Sequence, residues 1–327
     1  MPDPELTPAP SGNSQLRIIF IGPHGVRAGW RLLVFFALLV AVRFAVVFPL
    51  GKIIGNLGTD FSARKVIIGE LFGFGIVLAA TAIMGRFEHR SLADYGLPFR
   101  FVLGKQFWAG ALWGFVMLSV IVGMMAASGA YSFGSLALSP ADVLKYALLW
   151  ALAFLLVGFF EEFSFRGYLQ YTLTSGMGFW PAAGITCVIF AGLHLSNPGE
   201  NWMGAVEIVL IALFLCLALR RTGNLWFAIG WHMAFDWGES FFYSTPNSGI
   251  HATGHMLKAS LMGSKWLSGG TVGPEASVFD LVVTVAGILL LAKIYPEARY
   301  PVVAAAESSP EPAANVLPQA SPSHLMP

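Results

Sequence analysis

Six ionisable side chains stand where an apolar sequence has least use for them. Glu161 and Glu162 are adjacent in Phe160-Glu161-Glu162-Phe163-Ser164-Phe165-Arg166-Gly167-Tyr168, directly after the uncharged run from Ala147 to Phe160. His194 closes a second apolar stretch. His232 and Asp236 lie four apart in a third, on one helical face. A charged side chain at the bilayer centre costs ~2.5–3.5 kcal/mol on insertion scales, so each of these groups needs a partner or a task. Arg166, four residues after Glu162, can pair with it across one helical turn. An ion pair accounts for one glutamate and leaves Glu161.

Gathered around one cavity, Glu161, Glu162, His194, His232 and Asp236 suit hydrolysis. A buried carboxylate within reach of a water can take its proton. A neutral imidazole can orient that water or donate a hydrogen bond to a developing oxyanion. Imidazole and carboxylate also suit a divalent metal such as zinc, for which Glu161, His194, His232 and Asp236 are the possible ligands. Both routes end in hydrolysis. The soluble zinc-protease signature H-E-x-x-H and the nucleophile elbow G-x-S-x-G are both absent. The bland alternatives are a structural ion-pair network for the two glutamates, an interfacial hydrogen bond for His194, and a helix-face hydrogen bond between His232 and Asp236.

Three motifs in order, E-E-x-x-x-R (Glu161, Glu162, Arg166), F-x-x-x-H (Phe190, His194) and H-x-x-x-D (His232, Asp236), resemble the CPBP family. This family comprises the CAAX proteases and bacteriocin-processing enzymes, also called Abi, and includes the Rce1-like intramembrane metalloproteases. The likeness covers about residues 141–243, and Leu92-Ala93-Asp94-Tyr95-Gly96-Leu97 is similar to a segment upstream in bacterial members. The resemblance implies an intramembrane endopeptidase acting on membrane-embedded or lipid-anchored peptides. It implies that Glu161 and His194 activate water, that His232 and Asp236 stabilise the oxyanion, and that Glu162 with Arg166 fixes the first glutamate. The last position is Asp236 where the CAAX-cleaving archetype has Asn. An ionised Asp cannot donate to an oxyanion, so Asp236 has to be protonated, orient His232, or bind a metal.

The elements that must carry these residues are apolar helices. The 327 residues are 56% hydrophobic and 11% charged, where a soluble chain carries about 25% charged residues. With a net charge of +1 and no basic stripe, the composition argues against a nucleic-acid partner. The expected fold is an all-α polytopic bundle of about eight spans: 32–50, 66–84, 107–127, 143–170, 179–195, 203–219, 225–243 and 278–294. Residues 1–30 form a polar N-terminal segment, 31–296 the membrane domain, and 297–327 a disordered Pro-, Ala- and Ser-rich tail. Residues 1–16 lack the apolar core of a cleavable signal peptide. An N-terminus inside the cell would place twelve basic residues on the inner side (Arg17, Arg27, Arg31, Arg86, Arg90, Arg100, Lys105, Arg166, Arg220, Arg221, Lys293, Arg299). The outer side would carry five (Lys52, Arg64, Lys65, Lys258, Lys265), so both termini are expected in the cytoplasm; the expected location is a bacterial inner membrane.

Other residues have simpler readings. Gly69 and Gly73, and Gly110 and Gly114, have the G-x-x-x-G spacing of close helix packing. Cys187 and Cys216 fall in apolar runs and read as small core residues rather than a disulfide. Arg43, mid-span, either snorkels or takes Glu70 as partner. Ser91 to Pro98 is an amphipathic piece at the membrane surface. Glu207, Glu239 and Asp280, near span ends, are expected to face water or headgroups. His251 and His255, four apart, lie in a Gly-rich loop. His232 is ~10 Å into its span and His194 ~22 Å into its own, an apparent mismatch in depth. A non-enzymatic alternative is an ion-coupled transporter or a partner-binding scaffold. A transporter would show an internal repeat with paired broken helices, and each motif here occurs once.

Overall fold

The structure, a computed structural model, describes residues 19–22, 25–54 and 61–300. The polar N-terminal stretch to residue 18, the centre of the turn at Pro23 and His24, and the tail beyond Tyr300 lie outside these residues. The described chain is a helical bundle: α1 (Ala28–Ile54), α2 (Ala63–Glu88), α3 (Lys105–Ala127), α4 (Pro140–Ser164), α5 (Gln170–Met177), α6 (Phe179–His194), α7 (Trp202–Thr222), α8 (Trp226–Trp237) and α9 (Val278–Ile294). Helix α1 shows lipid-compatible Leu33, Phe36 and Phe44 on its outer surface.

Among the described residues, five helices are long and apolar enough to cross a bilayer: α1 to Pro49, α2, α3, the continuous rod Pro140–Met177, and α7. The other expected spans are helical but shorter, at 16 residues for α6, 12 for α8 and 17 for α9. At 1.5 Å per residue each falls short of the ~30 Å hydrocarbon layer. Local chemistry sets the helix boundaries. Ser139 caps α4 by accepting from the backbone of Asp142, with Pro140 at the first helical position. Asn201 caps α7, which stops at Gly223 with φ 88°.

Helix α8 is the centre of the bundle, and glycines let its neighbours reach it. A β-carbon added at Gly110 of α3 would lie 2.0 Å from the carbonyl oxygen of Phe227, and one at Gly114 would lie 2.3 Å from that of Trp231. Reciprocally, a β-carbon at Gly230 would lie 2.1 Å from the carbonyl oxygen of Phe107. On another side, a β-carbon added at Gly158 of α4 would lie 3.0 Å from the Ile229 oxygen. The α3 and α8 backbones pack against each other where no side chain intervenes, which explains the spacing of Gly110 and Gly114. The α2 pair differs: Gly73 meets the Phe160 ring, whereas nothing lies within 4 Å of Gly69.

Ser91 to Pro98 forms turns with Ser91, Ala93 and Asp94 on the outside. Tyr95 and Leu97 are fully buried. The Gly96 oxygen accepts from the Leu225 backbone at 2.8 Å, and the Pro98 oxygen from Trp226 Nε1 at 3.0 Å. Apolar side chains and carbonyls used together make this segment the seat of α8. One carboxylate secures it: Glu88 accepts from Arg31 Nε at 2.9 Å, from Tyr95 Oη at 3.0 Å and from Tyr168 Oη.

Two expectations need correction. Glu207, Glu239 and Asp280 do not face water or headgroups; all three are fully buried. Each lies near a helix end, but those ends are inside the protein. Asp280 accepts from Thr284 Oγ1 at 3.0 Å, and both carboxylate oxygens of Glu207 and of Glu239 have no hydrogen-bond partner. Arg43 is exposed on α1 whereas Glu70 lines an internal cavity, so they do not pair. Cys187 and Cys216 are free and buried, as core residues should be, with their sulfurs 3.9 Å apart.

Candidate active site

The acidic motif ends α4 and leads into a turn of π-helix, Phe165–Leu169, in which Gly167 leaves helical geometry at φ −80°, ψ −120°. A side chain there would collide with the Phe163 ring, 2.9 Å from the added β-carbon. The wide turn shifts the phase of the rod between Glu162 and α5, and such bulges recur at functional sites. Arg166 lies within it and reaches back: its Nη1 is 3.2 Å from Glu162 Oε1, and its Nη2 donates to the Ala212 oxygen of α7 at 3.3 Å. The guanidinium also lies 4.7 Å from the centre of the Phe190 ring. Glu162 and Arg166 are essentially sealed from solvent.

Glu162 has a second partner, on a different helix from Arg166. Glu162 Oε1 is 3.0 Å from His232 Nδ1. A carboxylate only accepts, so Nδ1 carries the proton and the ring is held with Nε2 facing the opposite way. That nitrogen is 3.5 Å from Glu161 Oε2 and 3.5 Å from Asp236 Oδ2. The Glu161 side chain, 23% exposed, is the most open of these groups. Gly158 lies beside His232: a β-carbon added there would be 3.6 Å from that of His232.

His194 is the last residue of α6. Its Nδ1 is 2.8 Å from the Phe190 oxygen, which can only accept, so in the neutral ring Nε2 presents its lone pair. Among the described residues, no hydrogen bond or ion pair joins it to the other five. It nevertheless opens into the same cavity of about 220 Å³ that Glu161, His232 and Asp236 line. Counting turns from a membrane surface therefore misjudges depth. Helix α8 begins inside the protein, with Leu225, Trp226 and Phe227 fully buried beneath the 91–98 turns.

Residues outside the motifs complete the cavity wall: Glu70 of α2, Asn197, Asn247, Ser248 and Glu275. An acid inside an apolar helix was a legible signal for Glu70. The others sit in loops, where nothing in the spacing marks them. Ser248 donates to Glu275 Oε2 through its backbone at 2.7 Å and its hydroxyl at 2.9 Å. Burial pushes the Glu275 carboxyl above its ordinary range, against these two hydrogen bonds. His251 and His255 are not part of this wall.

The four residues expected as possible metal ligands, Glu161, His194, His232 and Asp236, line one cavity. Among the described residues, no group of three or more His, Cys, Asp or Glu side chains is placed to hold a metal ion. His232 and His194 each use Nδ1, toward Glu162 and the Phe190 oxygen, which leaves Nε2 of both rings facing the cavity. What the arrangement can do is bind a water beside an accessible carboxylate, with one imidazole presenting a lone pair and another held in a fixed tautomer.

Residues 143–238 match the Rce1-like family, described as type II CAAX prenyl endopeptidase Rce1-like. The matched segment contains all three motifs, from Glu161 to Asp236. No curated protein matches the chain.

Proposed function

We propose that this protein, whose residues 143–238 match the Rce1-like family, is an intramembrane endopeptidase cleaving peptide bonds of membrane-associated substrates, CAAX-type prenylated peptides among them. The observation that carries the reading is His232, held by Glu162 at 3.0 Å so that Nε2 faces Glu161 and Asp236 in the His194 cavity. Glu161 takes a proton from a water that His194 Nε2 orients, and the water oxygen attacks the scissile carbonyl. The carbon–nitrogen bond breaks as Glu161 returns the proton to the leaving amine. His232 stabilises the oxyanion when protonated at Nε2, and Asp236 orients it. Glu162 and Arg166 position His232 and do not touch substrate. No step runs through a metal.

The chain is read as crossing the bacterial inner membrane with both termini cytoplasmic. On that reading α6, α8 and α9 complete eight membrane segments, α8 shielded within the bundle and α6 and α9 showing apolar side chains such as Val188 and Leu289 on the outside. The test is cleavage of membrane-tethered peptides by purified protein in vesicles, wild type against Glu161→Gln. Equal cleavage by the two removes Glu161 from the mechanism. A transporter reading would instead require transport by Glu161→Gln to fail with no wild-type proteolysis.

A further inference from the structure

Glu70 lines the cavity, yet the peptidase reading gives it no task. It comes from α2, outside the matched segment 143–238. Glu161 and His232, on the same cavity wall, both act on it electrostatically. Its carboxyl makes no hydrogen bond or ion pair with any described residue. Oε2 is sealed from solvent without a partner, which leaves Oε1 as the oxygen open to the cavity. A buried carboxyl without a donor or a cation is costly until a partner arrives.

The rest of the wall says what that partner carries. Four carboxyls line the cavity, those of Glu70, Glu161, Asp236 and Glu275, and no lysine or arginine does. Glu161 and Asp236 each lie 3.5 Å from His232, and Glu275 accepts from Ser248, so Glu70 is the acid of the wall with no partner. Arg166 cannot serve it, being sealed from solvent and paired with Glu162. Around Glu70 the wall is apolar. Val66 lies one turn before it on α2, and Phe154 and Val157 lie on the face of α4 that carries Glu161. A basic side chain matches these surfaces, with its apolar stem against Val66, Phe154 and Val157 and its charged head at the Glu70 carboxyl. A cation beside a carboxyl favours the charged form, so its arrival completes a hydrogen-bonded ion pair.

We infer that Glu70 is a specificity-determining residue that binds the lysine or arginine side chain of a substrate residue next to the scissile bond. The preferred substrate is then a membrane-tethered peptide that is basic at the cut. The inference rests on the peptidase reading above, which places the scissile carbonyl at Glu161 and brings a neighbouring residue within reach of Glu70. Complementary charge in such a site selects among peptides and leaves the chemistry to Glu161 and His194.

The test presents the purified full-length chain in phosphatidylethanolamine–phosphatidylglycerol vesicles with acyl-anchored peptides of randomised sequence, with cut sites read by mass spectrometry. Lysine and arginine are expected to be enriched beside the cut. A matched set built on the best-cleaved peptide then carries lysine, acetyl-lysine or glutamate at that position. Wild type is expected to favour lysine over acetyl-lysine by at least about tenfold in kcat/KM. Glu70→Gln should bring that ratio within about threefold, and Glu70→Lys should turn the preference toward glutamate, an outcome that a misfolded protein cannot give. A wild-type ratio within about threefold overturns the inference without any variant. So does a Glu70→Gln protein that keeps the wild-type ratio, or one that folds and cleaves none of the set. In each of these cases the peptidase reading stands if wild type cleaves and Glu161→Gln does not. If wild type cleaves no peptide, both fall.

Discussion

Glu162 and His232, seventy residues apart in the chain, meet at 3.0 Å through Oε1 and Nδ1. The same oxygen holds Arg166 at 3.2 Å, so the ion pair inside α4 and its π turn is also the anchor of an imidazole on α8. A pair that looks like a local i,i+4 contact in sequence is the joint between two motifs.

Replacing Glu162 by Gln should therefore damage both stability and turnover. Arg166 would be left buried without its counter-charge, a change that costs about 3–5 kcal/mol when one partner of a buried pair is removed. His232 would lose the acceptor that sets its tautomer, and outer contacts of this kind are worth about 10–100-fold in activity. Thermal unfolding in detergent measures the first effect and cleavage rate the second. An unchanged melting temperature would mean the pair does not bear on stability.

The glycine contacts give a contrast within one motif type. Gly114→Ala forces α3 away from the Trp231 carbonyl, 2.3 Å from the new β-carbon, and should cost about 1–3 kcal/mol as overpacking does. Gly69→Ala adds a methyl where nothing lies within 4 Å and should leave stability within about 0.5 kcal/mol. Comparing the two melting temperatures tests whether the close approach of α3 and α8 holds the site together.

The motifs fixed which helices matter and left open how they meet. Apolar runs made the helices legible, and Gly110 and Gly114 announced a close contact without naming its partner. The identity of that partner depends on the seating of α8 by Gly96 and Pro98, which uses backbone carbonyls that no pattern reveals. Glu207, Glu239 and Asp280 read as exposed because they lie near helix ends, yet those ends are internal. Asn247 owes its place to a two-residue turn, and the flanking Ser248-Gly249 was the sole local sign of it. Residues whose roles come from helix periodicity were readable; those placed by loops closing over the bundle were not.

Glu275 predicts a pH effect of definite sign. Its carboxyl is raised by burial, so the folded state holds that proton more tightly than the unfolded chain. The stabilisation is full below the unfolded value and is lost as pH rises through the folded one. Glu275→Gln keeps an acceptor for Ser248 and should flatten this part of the stability profile, with its advantage over wild type growing toward higher pH. Melting temperatures of both proteins across a pH series measure this; parallel profiles would contradict it.

Metal removal separates the two hydrolytic routes. With no group of three candidate ligands in place among the described residues, exhaustive chelation should leave cleavage unchanged, and elemental analysis should find no stoichiometric metal. Loss of activity on chelation, with recovery on adding zinc, would replace the water-and-glutamate route with a metal-dependent one.

The most direct test of the account is the cleavage rate of Glu161→Gln on a membrane-tethered peptide that wild type cuts, in vesicles, with folding verified by an unchanged melting profile. A side chain that supplies the general base should cost at least about 10²-fold in kcat when it can no longer accept a proton. Cleavage at the wild-type rate by the folded variant would contradict the central claim.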